Sequence, residues 1–172
     1  IIKETIVEDM RLISGIPSWV QMYFEKLNEK EGKKVSEIFP NFDLFVYGGV
    51  NYEPYRQKME DLVGKKVDSI ELFPASEGFF AYQDTNYDNK NSKKKDGMLL
   101  LLNHGIFYEF IPASEFFDKN PTRITIEDVK IGVNYVLILS TNAGLWAYNI
   151  GDTVEFTSVD PYRIIVTGRI KH

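Results

Sequence analysis

A change of pattern at about Pro74 constrains the fold of this chain more than any other feature of its sequence. Before Pro74, segments with helical spacing alternate with short apolar strands. After it, runs of strand length follow one another, separated by short polar or glycine-containing turns. These runs are GFFAYQ, GMLLLL, IFYEFIP, NYVLILST, GLWAY, DTVEFTSV and YRIIVTG. We therefore expect an α/β portion followed by a mostly antiparallel sheet or partial barrel, an α/β (α+β) fold class.

The first portion predicts a parallel βαβ unit. ETIVEDMRLIS and PSWVQMYFEKLNEKEG have apolar residues at helical spacing, and EPYRQKMEDLVG does too. The last of these lies between DLFVYGG and VDSIELF, which are typical of buried strands. A strand, helix and strand in this order favour a parallel crossover. We expect residues 1–75 to form the α/β portion of a large domain and residues 76–172 its β-rich portion.

Composition excludes several classes of function. The 172 residues contain no cysteine, which excludes disulfide scaffolds, cysteine zinc sites and thiol nucleophiles and fits a reducing cytoplasm. A formal net charge of -5 disfavours nucleic-acid and membrane-surface partners. The apolar runs are too short to span a bilayer, and the first ten residues lack the features of a secretory signal. The chain also starts inside an amphipathic pattern, which predicts a longer native protein.

Common nucleotide and nucleophile motifs are missing from the sequence. There is no dinucleotide fingerprint, no GxxxxGK[ST] loop and no nucleophile elbow. His104 is expected to be a strand-end histidine, and two histidines are too few for a histidine-rich metal site. The lysine-bearing stretch NYDNKNSKKKDG could touch phosphates, but it is more typical of a solvated hairpin tip.

Two turns remain as candidate sites. In ELFPASEGFFAYQ, a strand ends and presents Ser76 and Glu77, where a carboxylate can hold Mg²⁺ and a neighbouring aromatic ring can stack on a base. In NAGLWAYNIGDTVEF, Gly151 and Asp152 are predicted in a turn between two strands. A rigidly held Asp can accept two hydroxyl hydrogen bonds, as ribose recognition needs, although most turn Asp residues only bond locally.

Together and in this order, these segments resemble the auxin-responsive acyl acid-amido synthetase family and its bacterial relatives, in the acyl-adenylate-forming ligase superfamily. The family's aromatic-x-x-Ser-Glu motif is matched by residues 73–77. Its Tyr-Arg-x-Gly-Asp motif is matched by residues 148–152, with Asn149 in place of Arg. FVYGGVNYEP, FYEFIP and the closing GRIKH extend the resemblance over essentially the whole chain.

The resemblance assigns roles to single residues in the first motif and upstream of it. It implies that Phe73 packs against adenine and that Ser76 lines the nucleotide or acid pocket. Glu77 would hold Mg²⁺ on the phosphates of ATP and would be the catalytic residue of this set. Gly48 and Gly49 would let the backbone approach the nucleotide closely.

The second motif and the end of the chain supply the remaining implied roles. Asp152 would bind the ribose hydroxyls, and Tyr148 belongs to the same nucleotide-binding set. Arg169 would contact the ribose from the other side. Lys171 matches the hinge about which the superfamily's small domain rotates. Because Asn149 stands where the family has Arg, a role that needs the Arg charge is in question, whereas the roles of Gly151 and Asp152 are not.

The resemblance implies an ATP- and Mg²⁺-dependent ligase that activates a carboxylic acid as acyl-AMP and conjugates it to an amine, such as an amino acid. The superfamily's phosphate loop lies upstream and its catalytic lysine lies in a small C-terminal domain, and neither occurs in this sequence. We therefore expect a cytoplasmic enzyme fragment that is inactive alone.

Three alternatives stay open at this point. Thioester formation with coenzyme A shares the first half-reaction. A non-catalytic β-rich binding module would use the aromatic residues of the second portion, but gives no reason for Glu77 and Asp152 to share one cleft. A glycosidase needs a marked carboxylate pair, and the sequence offers none.

Overall fold

The computed structural model describes residues 1–85 and 97–170, and the chain divides into two compact units, residues 1–72 and 73–172. The helices are α1 (Ile2–Thr5), α2 (Pro17–Glu31), α3 (Val35–Ile38) and α4 (Glu53–Val63), with a 3-10 helix at Ile126–Asp128. The strands are β1 (Leu12–Ser14), β2 (Leu44–Gly48), β3 (Asp68–Ala75), β4 (Gly78–Tyr82), β5 (Met98–Leu100), β6 (Ile106–Pro112), β7 (Asn134–Thr141), β8 (Tyr148–Val159) and β9 (Tyr162–Arg169).

The first unit contains the predicted parallel crossover. β1, β2 and β3 pair in parallel, and α4 connects β2 to β3. Gly32 and Gly64 end α2 and α4 in the left-handed conformation, with φ of 65° and 84°, as the sequence pattern predicts for helix-terminating glycines. The βαβ prediction is therefore confirmed.

The core of the first unit lies between the apolar faces of its helices and β2. The predicted face of α2, formed by Val20, Phe24 and Leu27, is buried. These three residues belong to a cluster that also contains Val35, Phe39, Phe42, Phe45, Tyr47, Tyr52, Met59, Leu62 and Val63. Burial of such a face is what stabilises helices of this length.

One predicted helix is wrong over most of its length. The segment ETIVEDMRLIS has Ile6, Met10 and Ile13 at helical spacing, yet the helix ends at Thr5 and Leu12–Ser14 is a strand. This strand pairs in parallel with β2. Pairing with a neighbouring strand is a tertiary effect, and it overrides the weak local preference for helix.

The second unit is a mostly antiparallel sheet with the strand order β4-β5-β9-β8-β7-β6. It confirms the expected fold class, and the strands predicted at Ile106–Pro112 and Asn134–Thr141 form as expected. One detail differs. Gly151 and Asp152, predicted in a turn between two strands, lie inside the single long strand β8.

The two faces of the antiparallel sheet carry separate apolar clusters. One face holds the main core of the unit, where Phe110 and Phe156 meet edge to face with ring centroids 5.1 Å apart. Side chains alternate along a strand, so Ile111 lies on the opposite face from Phe110. There Ile111, Val136 and Ile138 form a smaller cluster.

Within the described part of the chain, no helix has the length and apolar character that crossing a bilayer requires. Most of the lysine-bearing stretch predicted as a hairpin tip falls on residues 86–96, outside the described residues. The predicted hinge residue Lys171 and the final His172 also lie outside them.

Candidate functional site

Ser76 and Glu77 form the two-residue turn that joins β3 to β4. Ser76 is exposed and Glu77 is half-buried. Gly78 follows directly, and a Cβ atom at this position would lie 2.8 Å from Cδ1 of Ile106 on β6. The glycine therefore allows the turn that carries Glu77 to sit close against β6.

Asp152 lies in an irregular part of β8. Between the pairs Val136–Thr153 and Ile138–Asn149, β7 contributes one residue (137) and β8 contributes three (150–152). This excess is a bulge, which locally breaks the ladder and redirects side chains. Gly151 has φ of 85°, a left-handed conformation that glycine adopts without strain.

Hydrogen bonds hold the bulge from its own strand and from β9. The Asn149 side-chain oxygen accepts the Gly151 N–H at 2.9 Å. The Ile170 N–H donates to the Gly151 carbonyl at 2.8 Å, and Arg169 Nη2 donates to the Ile150 carbonyl at 2.8 Å. The backbone beside Asp152 is therefore fixed on both sides.

Arg169 forms an ion pair with Asp152. The two residues are partners in the β8–β9 ladder, and Arg169 Nε lies 3.0 Å from Asp152 Oδ1. The Asp152 side chain is 19% exposed, whereas that of Arg169 is 71% exposed. The carboxylate is thus held in a sheltered position while much of the guanidinium faces solvent.

Three influences act on the pKa of Asp152. Burial raises this pKa above its ordinary value of 3.8 and is the largest influence. The Arg169 guanidinium lowers it, and the charge of Glu77 raises it again, with a net raised pKa. Glu77 can contribute only if its carboxylate lies within interaction range. The charge of Glu77 thus affects the pKa of Asp152, although the two residues lie 75 positions apart in the sequence.

This arrangement can bind a polar ligand that offers hydroxyl donors and negative charge. Asp152 can accept hydrogen bonds, and the exposed Arg169 has donors for an anion or an oxygen. No group of three or more His, Asp or Glu residues suited to a metal ion occurs among the described residues. Glu77 alone fits Mg²⁺ that is shared with ligand phosphates and waters, a usual mode for this ion.

The other predicted residues of the second unit lie near these two motifs in the chain. Phe73 is 5% exposed, and its ring meets Phe80 edge to face at 5.1 Å. It has the contacts of a core residue, and its packing against adenine stays a prediction. Tyr148 is exposed at the start of β8, and its binding role and that of Ser76 also stay predictions.

Gly48 and Gly49 lie in the first unit, at the end of β2. Gly49 has φ of 82°, and a Cβ atom there would meet nothing within 4 Å. The backbone is thus open at this turn. The predicted close approach of these glycines to a nucleotide stays a prediction.

Some of the aromatic residues that a β-rich binding module would use are buried in the core, and others are exposed on the surface. Phe80, Tyr108 and Phe110 are buried. Phe107 and Trp146 are exposed, Trp146 to 85%. The buried rings stabilise the sheet, so only part of this aromatic set is accessible to a ligand.

Asn149 has a structural function that the sequence reasoning missed. In the resembled motif this residue is a departure from Arg, and in the structure its side-chain oxygen accepts the N–H of Gly151. An Asn whose side chain bonds the backbone two residues further on is a known turn-forming signal. The spacing Asn149-Ile150-Gly151 carries that signal and would have predicted this contact.

Comparison with known proteins places the second motif, residues 148–152, in a family context. Residues 99–169 match the model of the GH3 family central domain. The chain is 29% identical over 124 residues to the jasmonoyl-L-amino acid synthetase JAR4 of Nicotiana attenuata, covering 70% of the chain and 21% of that protein. The resemblance to the acyl acid-amido synthetases is confirmed. The matched GH3 region contains Asp152 and Arg169.

A second curated relative supports the GH3 relationship. The indole-3-acetic acid-amido synthetase GH3.3 of Arabidopsis thaliana is 24% identical over 126 residues, covering 72% of the chain and 20% of that protein. The chain therefore spans about a fifth of the length of these GH3 relatives.

Solved structures share the fold. The acyl acid amido synthetase AtGH3.15 in complex with 2,4-DB matches with a TM-score of 0.61 at 19% identity, over 85% of this chain and 26% of that one. The 2-hydroxyisobutyryl-CoA ligase with its R3-HIB-AMP ligand matches with a TM-score of 0.65 at 13% identity, over 98% of this chain and 35% of that one. The GH3-like chain thus has a fold that also occurs in a coenzyme A ligase.

Proposed function

We propose that this chain is part of the large domain of an ATP-dependent ligase that activates a carboxylic acid as acyl-AMP and transfers the acyl group to an amine such as an amino acid. One observation carries the proposal. Asp152 is held in a sheltered position on the β8 bulge, with its Oδ1 3.0 Å from Arg169 Nε, and the charge of Glu77 raises the pKa of Asp152 from 75 positions away in the sequence. A nucleotide has ribose hydroxyls that can donate hydrogen bonds to Asp152, and phosphates that can share a Mg²⁺ ion with Glu77.

The chemistry explains why these residue types are suitable. The substrate carboxylate attacks the α-phosphorus of ATP, an acyl-AMP mixed anhydride forms, and pyrophosphate leaves. The amine then attacks the acyl carbon and AMP leaves. The protein acts mainly by positioning and by neutralising charge.

Each residue of the site has a distinct part in this proposal. Asp152 accepts hydrogen bonds from the ribose hydroxyls, and Arg169 orients Asp152 while its exposed edge faces the nucleotide. Glu77 holds Mg²⁺, which shields the phosphate charges when bound.

The names of the relatives support the substrate class. One is a jasmonoyl-L-amino acid synthetase and another an indole-3-acetic acid-amido synthetase, which points to a carboxylic acid and an amino acid as the substrates of the whole protein. We propose a cytoplasmic site of action, with no nucleic-acid or membrane partner.

Thioester formation with coenzyme A is the second candidate, because a coenzyme A ligase shares this fold with a TM-score of 0.65. Both reactions begin with the same adenylation, so the site described above serves either. Assay of the longer natural protein with amino acids and with coenzyme A as acceptors distinguishes them.

Binding of AMP to the 172-residue chain tests the proposal directly, since AMP contains the ribose and needs no metal ion. We expect saturable binding by calorimetry, and a tenfold to hundredfold weaker affinity in Asp152→Ala, because a hydrogen bond to a charged group contributes about 1.5–3 kcal/mol. Asp118→Ala, which changes an exposed aspartate of the same unit, is the matched control and should bind AMP as the wild type does.

Two outcomes would contradict the proposal. One is a wild-type chain that does not bind AMP. The other is Asp152→Ala binding AMP with unchanged affinity while the protein stays folded.

A further inference from the structure

Strand β9 contains one extra residue next to the Asp152–Arg169 pair. In the β8–β9 ladder, Thr153 pairs with Gly168 and Val154 pairs with Val166. Thr167 therefore lies between two consecutive ladder pairs, with no residue of β8 directly opposite it. A residue inserted in this way forms a bulge, and bulges redirect the side chains that follow them.

The Thr167 side chain ties three strands together at the bulge. Its hydroxyl donates to Asn134 Oδ1 on β7 at 2.6 Å and lies 2.8 Å from the hydroxyl of Thr153 on β8. The Thr167 hydroxyl is therefore within hydrogen-bond distance of a partner on β7 and of a partner on β8. Thr153 is 5% exposed, which makes its hydroxyl costly to leave without a partner.

The bulge decides which residue of β9 faces Asp152. Side chains alternate between the two faces of a strand, so a shift of one residue moves each side chain to the opposite face. With Thr167 accommodated as the extra residue, Arg169 pairs with Asp152. Beyond it, Ile170 packs against the cluster of Ile111, Val136 and Ile138 and bonds the Gly151 carbonyl.

We propose that Thr167, held by Asn134 and Thr153, is a positioning residue that sets Arg169 against Asp152 for nucleotide recognition. The inference deepens the proposed function of this site and rests on it. The hydroxyl of Thr167 contacts Asn134 and Thr153. It acts through the register of β9.

The test compares Thr167→Val, which removes the hydroxyl and keeps the shape, with Thr167→Ser, which restores the hydroxyl. Hydrogen exchange of the Arg169 Nε–H, measured by NMR at low temperature, reports whether the bond to Asp152 persists. We expect exchange to be roughly five- to tenfold faster in Thr167→Val, the factor that corresponds to the loss of about one net hydrogen bond. Thr167→Ser should return it to the wild-type rate.

Two further variants make the test specific. Thr157→Val makes the same chemical change near the other end of the same strand pair and should leave the Arg169 exchange unchanged. Asn134→Ala removes the partner on β7 without altering β9 and should speed the exchange in the same direction as Thr167→Val. If Thr167→Val does not fold, the Arg169 exchange rate in Asn134→Ala tests the positioning role instead.

AMP affinity is measured on the same variants as a second readout, and we expect it to fall in Thr167→Val and to recover in Thr167→Ser. Unchanged Arg169 exchange in folded Thr167→Val or Asn134→Ala, or no recovery in Thr167→Ser, would overturn the positioning role. A wild-type chain that fails to bind AMP would instead defeat the proposed function, because the exchange measurement does not depend on a nucleotide.

Discussion

At the scale of single residues, Asp152 is subject to opposing influences. Its side chain is sheltered, which disfavours the charged form, and Glu77 adds a like charge. Arg169 favours the charged form but does not outweigh both. A sheltered carboxylate beside an exposed guanidinium is suited to bind ligand hydroxyls rather than to pair completely within the protein.

The raised pKa of Asp152 predicts a pH dependence of stability. A carboxyl whose pKa is higher in the folded state than in the unfolded state contributes stability at low pH, and this contribution is lost as pH rises. We expect the free energy of unfolding of the wild type, relative to Asp152→Asn, to fall as pH rises above the ordinary value of 3.8, and to level off above the raised pKa.

Urea denaturation of both proteins across this pH range measures the difference. A difference that grows with pH would show that Arg169 outweighs burial and Glu77, and would contradict the expected fall.

The sequence identified Glu77 and Asp152 as candidates because each carboxylate follows a strand in a turn-like, glycine-bearing segment. It did not reveal the contribution of Asn149, Asn134 or Thr167. The Asn149 contact is local, and the Asn-x-Gly spacing signals it. The contacts of Thr167 join three strands, and no spacing within one segment encodes such a meeting.

At the scale of secondary structure, the bulges in β8 and β9 shape the site. The β8 bulge presents Asp152, and the β9 bulge presents Arg169 opposite it. Gly151 contributes to both bulges. Its positive φ permits the β8 bulge, and its lack of a side chain leaves room for the guanidinium of Arg169. A Cβ atom at Gly151 would lie 3.2 Å from Arg169 Nη2.

Gly151→Ala and Gly132→Ala form a matched pair that separates these two effects. Both glycines have positive φ, 85° and 78°, but a Cβ atom at Gly132 would meet nothing within 4 Å. We expect each change to cost roughly 1–2 kcal/mol of stability through backbone strain. Only Gly151→Ala should also speed the hydrogen exchange of Arg169 Nε–H.

Urea denaturation and NMR exchange measure the two quantities independently. Equal Arg169 exchange in both variants would show that the guanidinium shifts freely, and would remove the steric role assigned to Gly151.

Some strands of this chain follow from the local sequence pattern, and one does not. Ile106–Pro112 and Asn134–Thr141 were predicted correctly because their apolar character and their bounding turns agree. The segment Leu12–Ser14 was predicted as helix and forms a strand, since its place beside β2 satisfies its backbone groups. The spacing of its apolar residues carried no information about that neighbour.

At the scale of the whole molecule, the chain spans about a fifth of the length of its GH3 relatives. The proposed nucleotide site draws on residues of the second unit, residues 73–172. The resemblance places the phosphate loop and the catalytic lysine of the superfamily in segments that this sequence does not contain.

We therefore expect the 172-residue chain to bind AMP without exchanging labelled pyrophosphate into ATP, whichever carboxylic acid is supplied. Positioning of the reacting groups supplies much of the rate in such reactions, and the chain spans only about a fifth of the length of its relatives. The assay uses ATP, Mg²⁺ and a panel of acids, with a longer relative as the positive control. Robust exchange by this chain would refute the expectation.

The sequence by itself determined the fold class, the parallel crossover of the first unit, most strands of the second and the family resemblance. These follow from periodicity, turn residues and short motifs, all of which lie within a few neighbouring positions. Tertiary structure alone decided that β1 is a strand, that Asp152 lies inside a bulged strand, and that Arg169 faces it. Each of these depends on strand register between distant segments, and register is set by packing and by hydrogen bonds that a local pattern does not contain.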